Sequence, residues 1–225
     1  IIVALDGNDL SQIKKLAQKL KNEVYAFKIG YEFFYNFGIN GYNNIKKICP
    51  KIFLDLKLHD IPNTVEKGLD ALSKLKPTFT TIHISGGDEM QKASQIIKNK
   101  TIKILGVSIL TSLNEKQTLK YYKEKKINNL VKKFAKYAKK NNLDGIVCSP
   151  LEIKIVRKEI GKKMILVVPG IRLKKNKAQK KDDQKRTLSP KEAINLGADF
   201  LVIGRPITES NNPLETIKKI NKSIQ

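Results

Sequence analysis

Tryptophan is absent from these 225 residues, and cysteine, histidine and methionine occur only twice each. Cys49 and Cys148 stand far apart, with neither a pairing pattern nor metal-type spacing, so a disulfide framework and a Cys/His metal cluster are both excluded. Two such thiols suit a reducing cytoplasm, which is the expected location. Long apolar runs are missing too, and nothing approaches the ~20 residues of a membrane span. Ile1 to Leu5 lead straight into Asp6 without a basic leader or a cleavage site, so they are expected to form a strand and not a secretion signal.

Acidic residues are scarce: 21 Asp and Glu face 44 Lys and Arg, a formal net charge of +23. A balance that basic first suggests nucleic acid or an anionic surface. Arginine, however, is scarcer still. Only Arg157, Arg172, Arg186 and Arg205 are present, so 40 of the 44 basic residues are lysines, spread over nearly every segment. Bidentate phosphate clamping and base-edge readout favour Arg. The diffuse lysine excess fits a compositional bias better than a binding footprint, and no specific nucleic-acid partner is expected. Three of the four arginines fall between Arg172 and Arg205.

Short apolar runs recur at Ile1–Leu5, Val24–Ile29, Ile52–Leu56, Phe79–Ile84, Ile102–Ile109, Gly145–Cys148, Met164–Val168 and Phe200–Ile203. Segments with helical spacing lie between them, such as Leu10, Ile13, Leu16, Ala17 and Leu20, or Leu130, Val131, Phe134, Tyr137 and Ala138. Eight strand-then-helix units without a linker predict an α/β chain that folds as a single (β/α)8 TIM barrel over 1–225, with a doubly wound open sheet as the rival. Polar residues favour the barrel. Asp6, Lys28, Asp55 with Lys57, Ser108 with Thr111 and Ser112, Arg172, and Gly204 with Arg205 all stand at C-terminal strand ends. Those ends converge on one mouth in a barrel and are strung along an edge in an open sheet.

The segment Phe53-Leu54-Asp55-Leu56-Lys57-Leu58-His59-Asp60-Ile61-Pro62-Asn63-Thr64 places three charges in and just after an apolar strand. Side chains two apart share a face, so Asp55 and Lys57 point one way and Leu54, Leu56 and Leu58 the other. An ammonium among carboxylates stays charged and is positioned to donate a proton; the plain alternative is a structural ion pair. Gly204-Arg205 after the last strand is where this fold usually holds phosphate, the alternative being a simple turn with a surface arginine. Arg172 and Gln184 bracket a loop at about 170–188 with eight Lys or Arg against two Asp, expected to act as a phosphate-binding lid.

The phrase Asp55-Leu56-Lys57-Leu58-His59-Asp60-Ile61-Pro62-Asn63-Thr64 resembles the signature of the orotidine 5'-phosphate decarboxylase family in its bacterial form. Further matches follow in order along the chain: Val3-Ala4-Leu5-Asp6, Phe27-Lys28-Ile29-Gly30, Leu110-Thr111-Ser112, Val168-Pro169-Gly170-Ile171-Arg172, Asp183-Gln184-Lys185-Arg186 and Ile203-Gly204-Arg205-Pro206. The resemblance implies cofactor-independent and metal-independent decarboxylation of orotidine 5'-monophosphate to UMP in pyrimidine biosynthesis, by a cytoplasmic homodimer. It implies that Lys57 protonates the substrate within a network of Asp55, Asp60 and Lys28. Asp6 and Lys28 would contact the ribose, Thr111 and Ser112 the pyrimidine, and Arg172, Gln184, Gly204 and Arg205 the phosphate. Asp60 and Thr64 would complete the partner's site.

The core Asp-x-Lys-x-x-Asp is shared with related sugar-phosphate decarboxylases, in which Asp55 or a neighbour would bind Mg2+, and these are the nearest rival. Where the family often has His-Ala-Ser/Ala-Gly, this chain has His83-Ile84-Ser85-Gly86-Gly87, and the bulkier Ile84 is expected to alter packing beside the pyrimidine. His59 and His83 are expected to be structural or hydrogen-bonding groups.

Overall fold

The computed structural model describes residues 1–97, 101–172 and 188–225. Parallel strands β1 (Ile2–Leu5), β2 (Ala26–Ile29), β3 (Ile52–Leu58), β4 (Phe79–His83), β5 (Lys103–Val107), β6 (Gly145–Val147), β7 (Ile165–Val168) and β8 (Phe200–Ile203) pair in chain order. The first and last strands join through Ile2 beside Val202 and Val3 beside Ile203, which closes the barrel and removes the open-sheet alternative.

Around it run α1 (Leu10–Leu20), α2 (Tyr31–Ile48), α3 (Pro62–Ser73), α4 (Gly87–Ala93), α5 (Glu115–Tyr122), α6 (Ile127–Lys140), α7 (Ile153–Ile160), α8 (Pro190–Asn195), α9 (Arg205–Thr208) and α10 (Pro213–Ile224). Local chemistry starts them. The Asp9 carboxylate accepts from the Ser11 and Gln12 amides at 2.8 and 3.1 Å, and α1 then buries Ile13, Ala17 and Leu20 at helical spacing. Pro62 opens α3 where its missing N–H costs nothing, and Val65, Leu69 and Leu72 face inward. The α2 segment is two helical pieces meeting at Gly38, whose φ of +55° favours a residue without Cβ. Among the described residues, no helix is long and apolar enough to cross a membrane.

Two apolar layers result. The larger lies between strands and helices, where Leu5, Phe27, Ile29, Phe33, Leu54 and Ile82 are buried. The smaller fills the barrel with Ile2, Ala4, Ala26, Phe53, Phe79, Leu105, Val167 and Val202. Each large side chain removed from water contributes about 1.5–3 kcal/mol, so the outer layer supplies most of the hydrophobic stabilisation.

Strand alternation decides what faces the barrel axis. Residues two apart lie on one face, so the inward series Ala4, Ala26, Phe53 and Phe79 continues to Asp6, Lys28, Asp55 and Thr81. The third strand departs from regularity. Leu54 stands beside Thr80 and Leu58 beside Ile82, so β3 carries two surplus residues there, and Lys57 takes a left-handed φ of +41°. Leu54 is fully buried as expected, whereas Leu56 and Leu58 are only half-buried along the edge of the outer layer. The bulge turns their peptides away from the regular pleat. At the other extreme, β5 stops at Val107, two residues before the apolar run ends at Ile109.

Candidate active site

Asp55 sits at the centre of the mouth. It is buried, and its Oδ2 lies 2.9 Å from Lys57 Nζ and 3.7 Å from Lys28 Nζ. Its Oδ1 accepts a hydrogen bond of 2.9 Å from the Thr81 hydroxyl. Burial by itself would raise the Asp55 pKa, but the ammonium of Lys28, that of Lys57 and the hydrogen bonds from Lys57 and Thr81 outweigh it. The net shift is downward. Asp55 is therefore ionised at neutral pH and is shared by two ammonium groups.

Asp6 reaches the same region from the exposed end of β1. A methyl group at Gly30 would come within 2.9 Å of Lys28 Nζ and 3.6 Å of Asp6 Oδ1, so glycine there leaves room for both groups. Asp6 and Arg205 line one cavity, which joins the ends of β1 and β8. Lys57, Asp60, Thr64, Tyr31 and Tyr35 line a second cavity with both histidines. Asp60 and Thr64 are exposed, and Asp60 Oδ1 accepts from the Ile61 amide at 2.7 Å.

The remaining expected residues are placed unevenly. Thr111 is half-buried and Ser112 exposed on the turn after β5. Ser108, just before them, is buried and donates to the Val147 carbonyl at 3.0 Å, so it locks β5 to β6 and does not face the mouth. Arg172 follows Gly170, whose φ is +76°. The Arg172 amide donates to Leu188 O at 3.1 Å and Ile171 bridges Leu188, so both ends of the 170–188 loop meet at its base. Gln184, and with it the body of the expected lid, lies outside the described residues. Gly204 O accepts from the Ile207 and Thr208 amides at 2.8 and 3.1 Å, and Arg205 begins α9 in an exposed position.

Ile84 directly follows the fourth strand. It is buried in the outer layer, and a methyl group on Gly106 would approach its Cγ1 to 2.7 Å. The missing side chain at Gly106 thus makes the space for the larger residue.

Thr81 and Tyr31 go beyond the residues expected from the sequence, and the two histidines stand close by. Thr81 is fully buried and accepts from the Lys57 amide at 2.9 Å while donating to Asp55. The Tyr31 hydroxyl donates to Leu56 O at 3.0 Å, and Lys57 Nζ lies 5.6 Å from its ring centre. The His59 and His83 rings stand 5.1 Å apart. Burial, His59 and Lys57 push His83 down to about 4 against the opposing pull of Asp55, so it is neutral at pH 7. Alternation puts Thr81 in one inward row with Phe79 and His83, although its residue type alone does not mark it as part of the site.

Comparison with known proteins gives this mouth a family. Residues 1–220 match the model of the family described as Orotidine 5'-phosphate decarboxylase / HUMPS. The orotidine 5'-phosphate decarboxylase of Wolbachia pipientis subsp. Culex pipiens (strain wPip) is 45% identical over 225 residues, covering 100% of this chain and 98% of that protein. That of Ehrlichia canis (strain Jake) is 42% identical, covering 100% and 97%. The crystal structure of the enzyme from Lactobacillus acidophilus superposes with a TM-score of 0.84 at 37% identity, covering 100% of this chain and 98% of that one. With a closed eight-stranded barrel and this likeness along its whole length, the chain belongs to the orotidine 5'-phosphate decarboxylase / HUMPS family and is a carboxy-lyase.

Proposed function

We propose that the chain decarboxylates orotidine 5'-monophosphate to UMP and CO2 in pyrimidine biosynthesis, with Lys57 as the proton donor. The observation that carries this reading is one buried carboxylate, Asp55, shared by two ammonium groups at the barrel mouth. Breaking the bond between C6 and its carboxylate leaves an electron pair on C6 of the pyrimidine. A fixed ammonium at Lys57 stabilises that charge and then transfers a proton to the carbon, and solvent reprotonates the neutral amine. Asp55 orients Lys57 and crowds the departing carboxylate.

Remote groups supply binding energy. Asp6 and Lys28 are assigned to the ribose, Thr111 and Ser112 to the pyrimidine, and Arg172, Gln184, Gly204 and Arg205 to the phosphate. Because the phosphate is distant from C6, gripping it can drive closure over the site. Both Asp55 oxygens are already engaged by Lys57, Lys28 and Thr81, which disfavours a divalent cation at this carboxylate. The proposed reaction draws on neither metal nor organic cofactor, the ammonium of Lys57 meeting the charge at C6. A cytoplasmic location suits the two buried free thiols.

The assay is loss of orotidine 5'-monophosphate absorbance in excess EDTA. Full turnover is expected; loss restored by Mg2+ would transfer the chain to the sugar-phosphate relatives.

The reading includes a two-fold dimer in which Asp60 and Thr64 complete the neighbour's site. The exposure of Asp60 on the turn before α3 and of Thr64 in its first turn, beside Ile61 at 66% exposure and Tyr35 at 78%, supports it. Lys57→Ala and Asp60→Ala are each expected to be nearly inactive. Once their subunits exchange, half the dimers are mixed and hold one intact site, so about a quarter of wild-type activity should return. Proven exchange without recovery would put Asp60 in its own chain's site.

A further inference from the structure

The surplus residues of β3 leave the Leu56–Lys57 peptide to be held by side chains, Tyr31 on its carbonyl and Thr81 on its N–H. Between the pairs Leu54 with Thr80 and Leu58 with Ile82, three residues of β3 stand opposite Thr81 alone. The Lys57 amide in this stretch donates to the Thr81 hydroxyl at 2.9 Å in place of a carbonyl of the neighbouring strand. That same hydroxyl spends its own proton on Asp55 Oδ1, also at 2.9 Å. Lys57 itself is held at φ +41°, a conformation that a side chain with Cβ disfavours and that surrounding contacts must enforce.

We propose that Thr81 is a positioning residue for the decarboxylation, fixing the left-handed backbone of Lys57 and the orientation of Asp55 at once through one hydroxyl. The inference rests on the role of Lys57 and Asp55 proposed above. A hydroxyl is suited to the task because it accepts from the amide and donates to the carboxylate simultaneously. Valine has nearly the same shape and does neither. Thr81 is fully buried, so no water replaces it at either partner. The Tyr31 hydroxyl on Leu56 O and the Thr81 hydroxyl on the Lys57 amide hold the two sides of one peptide, and of the two only Thr81 also reaches Asp55. Substrate is not touched by Thr81; its effect runs through the 2.9 Å contact between Lys57 and Asp55.

Four proteins test this: wild type, Thr81→Ser, Thr81→Val and Lys57→Ala. Thr81→Ser keeps both hydrogen bonds and is expected to hold kcat within about threefold of wild type. Thr81→Val is expected to lose about 10²-fold in kcat, as for a reacting group displaced by an ångström, with KM for the nucleotide within about threefold. The acid limb of its kcat profile should also move to higher pH, because Asp55 has lost a donor. Should Thr81→Val fail to fold, Thr81→Cys takes its place with weaker bonds and similar volume, and kcat at least about tenfold below Thr81→Ser is expected.

A folded Thr81→Val, or in its absence Thr81→Cys, that turns over like Thr81→Ser overturns the positioning role. So does a parallel loss in kcat and KM with an unmoved pH profile. An inactive wild type, or an active Lys57→Ala, instead overturns the parent reading. A crystal structure decides the geometry independently of turnover: Thr81→Val with Lys57 still left-handed and its Nζ still against Asp55 would sink the proposal.

Discussion

The two ends of the barrel are built from the same strands in the same alternation, yet one is a plug and the other a reaction chamber. At the N-terminal end, Phe53, Phe79, Phe200 and Tyr25 meet with ring centres 4.6 to 6.1 Å apart, several edge to face. Two residues further along the same inward rows, Phe53 gives way to Asp55 and Phe79 to Thr81. At that level, side chains are held by charge and directed hydrogen bonds, not by contact area. The inward residues of the plug carry no charge, and the ammonium of Lys51, an exposed residue, lies over the Tyr25 ring. The mouth concentrates charge on one stable base, and so places a desolvated carboxylate where solution could not.

This division implies opposite responses to truncation. Lys57→Ala should lower kcat by about 10³ to 10⁴-fold or more, since it removes both the proton and the charge at C6. Its melting temperature should fall only modestly, because alanine keeps the same strained backbone and Lys28 still pairs with Asp55. Phe79→Ala should do the reverse. About 3–5 kcal/mol of stability is lost from a residue 1% exposed, while kcat of the folded fraction stays near wild type. Chemical denaturation beside turnover on both variants checks the pair, and a Phe79→Ala enzyme that is stable but slow would break the division of labour.

Within the mouth, the phosphate side can be separated from the reacting side. Arg205→Ala should lower kcat/KM on the nucleotide by about 1.5–3 kcal/mol, the range of a hydrogen bond to a charged group. The slow reaction of the phosphate-free nucleoside should be almost unaffected. Steady-state kinetics on both substrates measures the difference, and equal losses would make Arg205 a structural residue of α9.

Much of this arrangement is legible in the sequence because period-two alternation is a local property. Phe53, Asp55 and Lys57 share a face on any reading of that strand, and the C-terminal placement of Asp6, Lys28 and Arg205 follows from chain order. What is hidden depends on partners distant in sequence. Lys57's left-handed φ arises from the pairing of β3 with β4, and nothing in Leu56-Lys57-Leu58 announces a bulge. Thr81 is concealed by its residue type, since a threonine in a strand reads as β propensity. Ser108 misleads in the opposite sense: a polar residue at a strand end turned its hydroxyl into the sheet. The room for Ile84 is hidden for the same reason as the bulge, because it comes from Gly106 on the neighbouring strand.

The smallest expected effect concerns the rim, where the histidine pair joins the charged centre to the exposed turn. His83 is half-buried beside His59 and Lys57, and its pKa falls from 6.5 to about 4 on folding. A base whose pKa is lowered by folding favours the unfolded state once that state takes up a proton. The contribution of neutral His83 is therefore complete above pH 6.5, declines as pH falls below it, and is fully lost below about 4. Partial exposure screens the effect, so the stability lost across this window should be on the order of 1–2 kcal/mol. His83→Gln cannot titrate and should flatten that part of the stability profile while leaving the lysine-centred activity at pH 7 largely in place. Urea unfolding of both proteins between pH 4 and 7 reads the difference. An unchanged slope in His83→Gln would mean that the pH dependence of the mouth comes from its carboxylates, and that the rim histidines belong energetically with the plug.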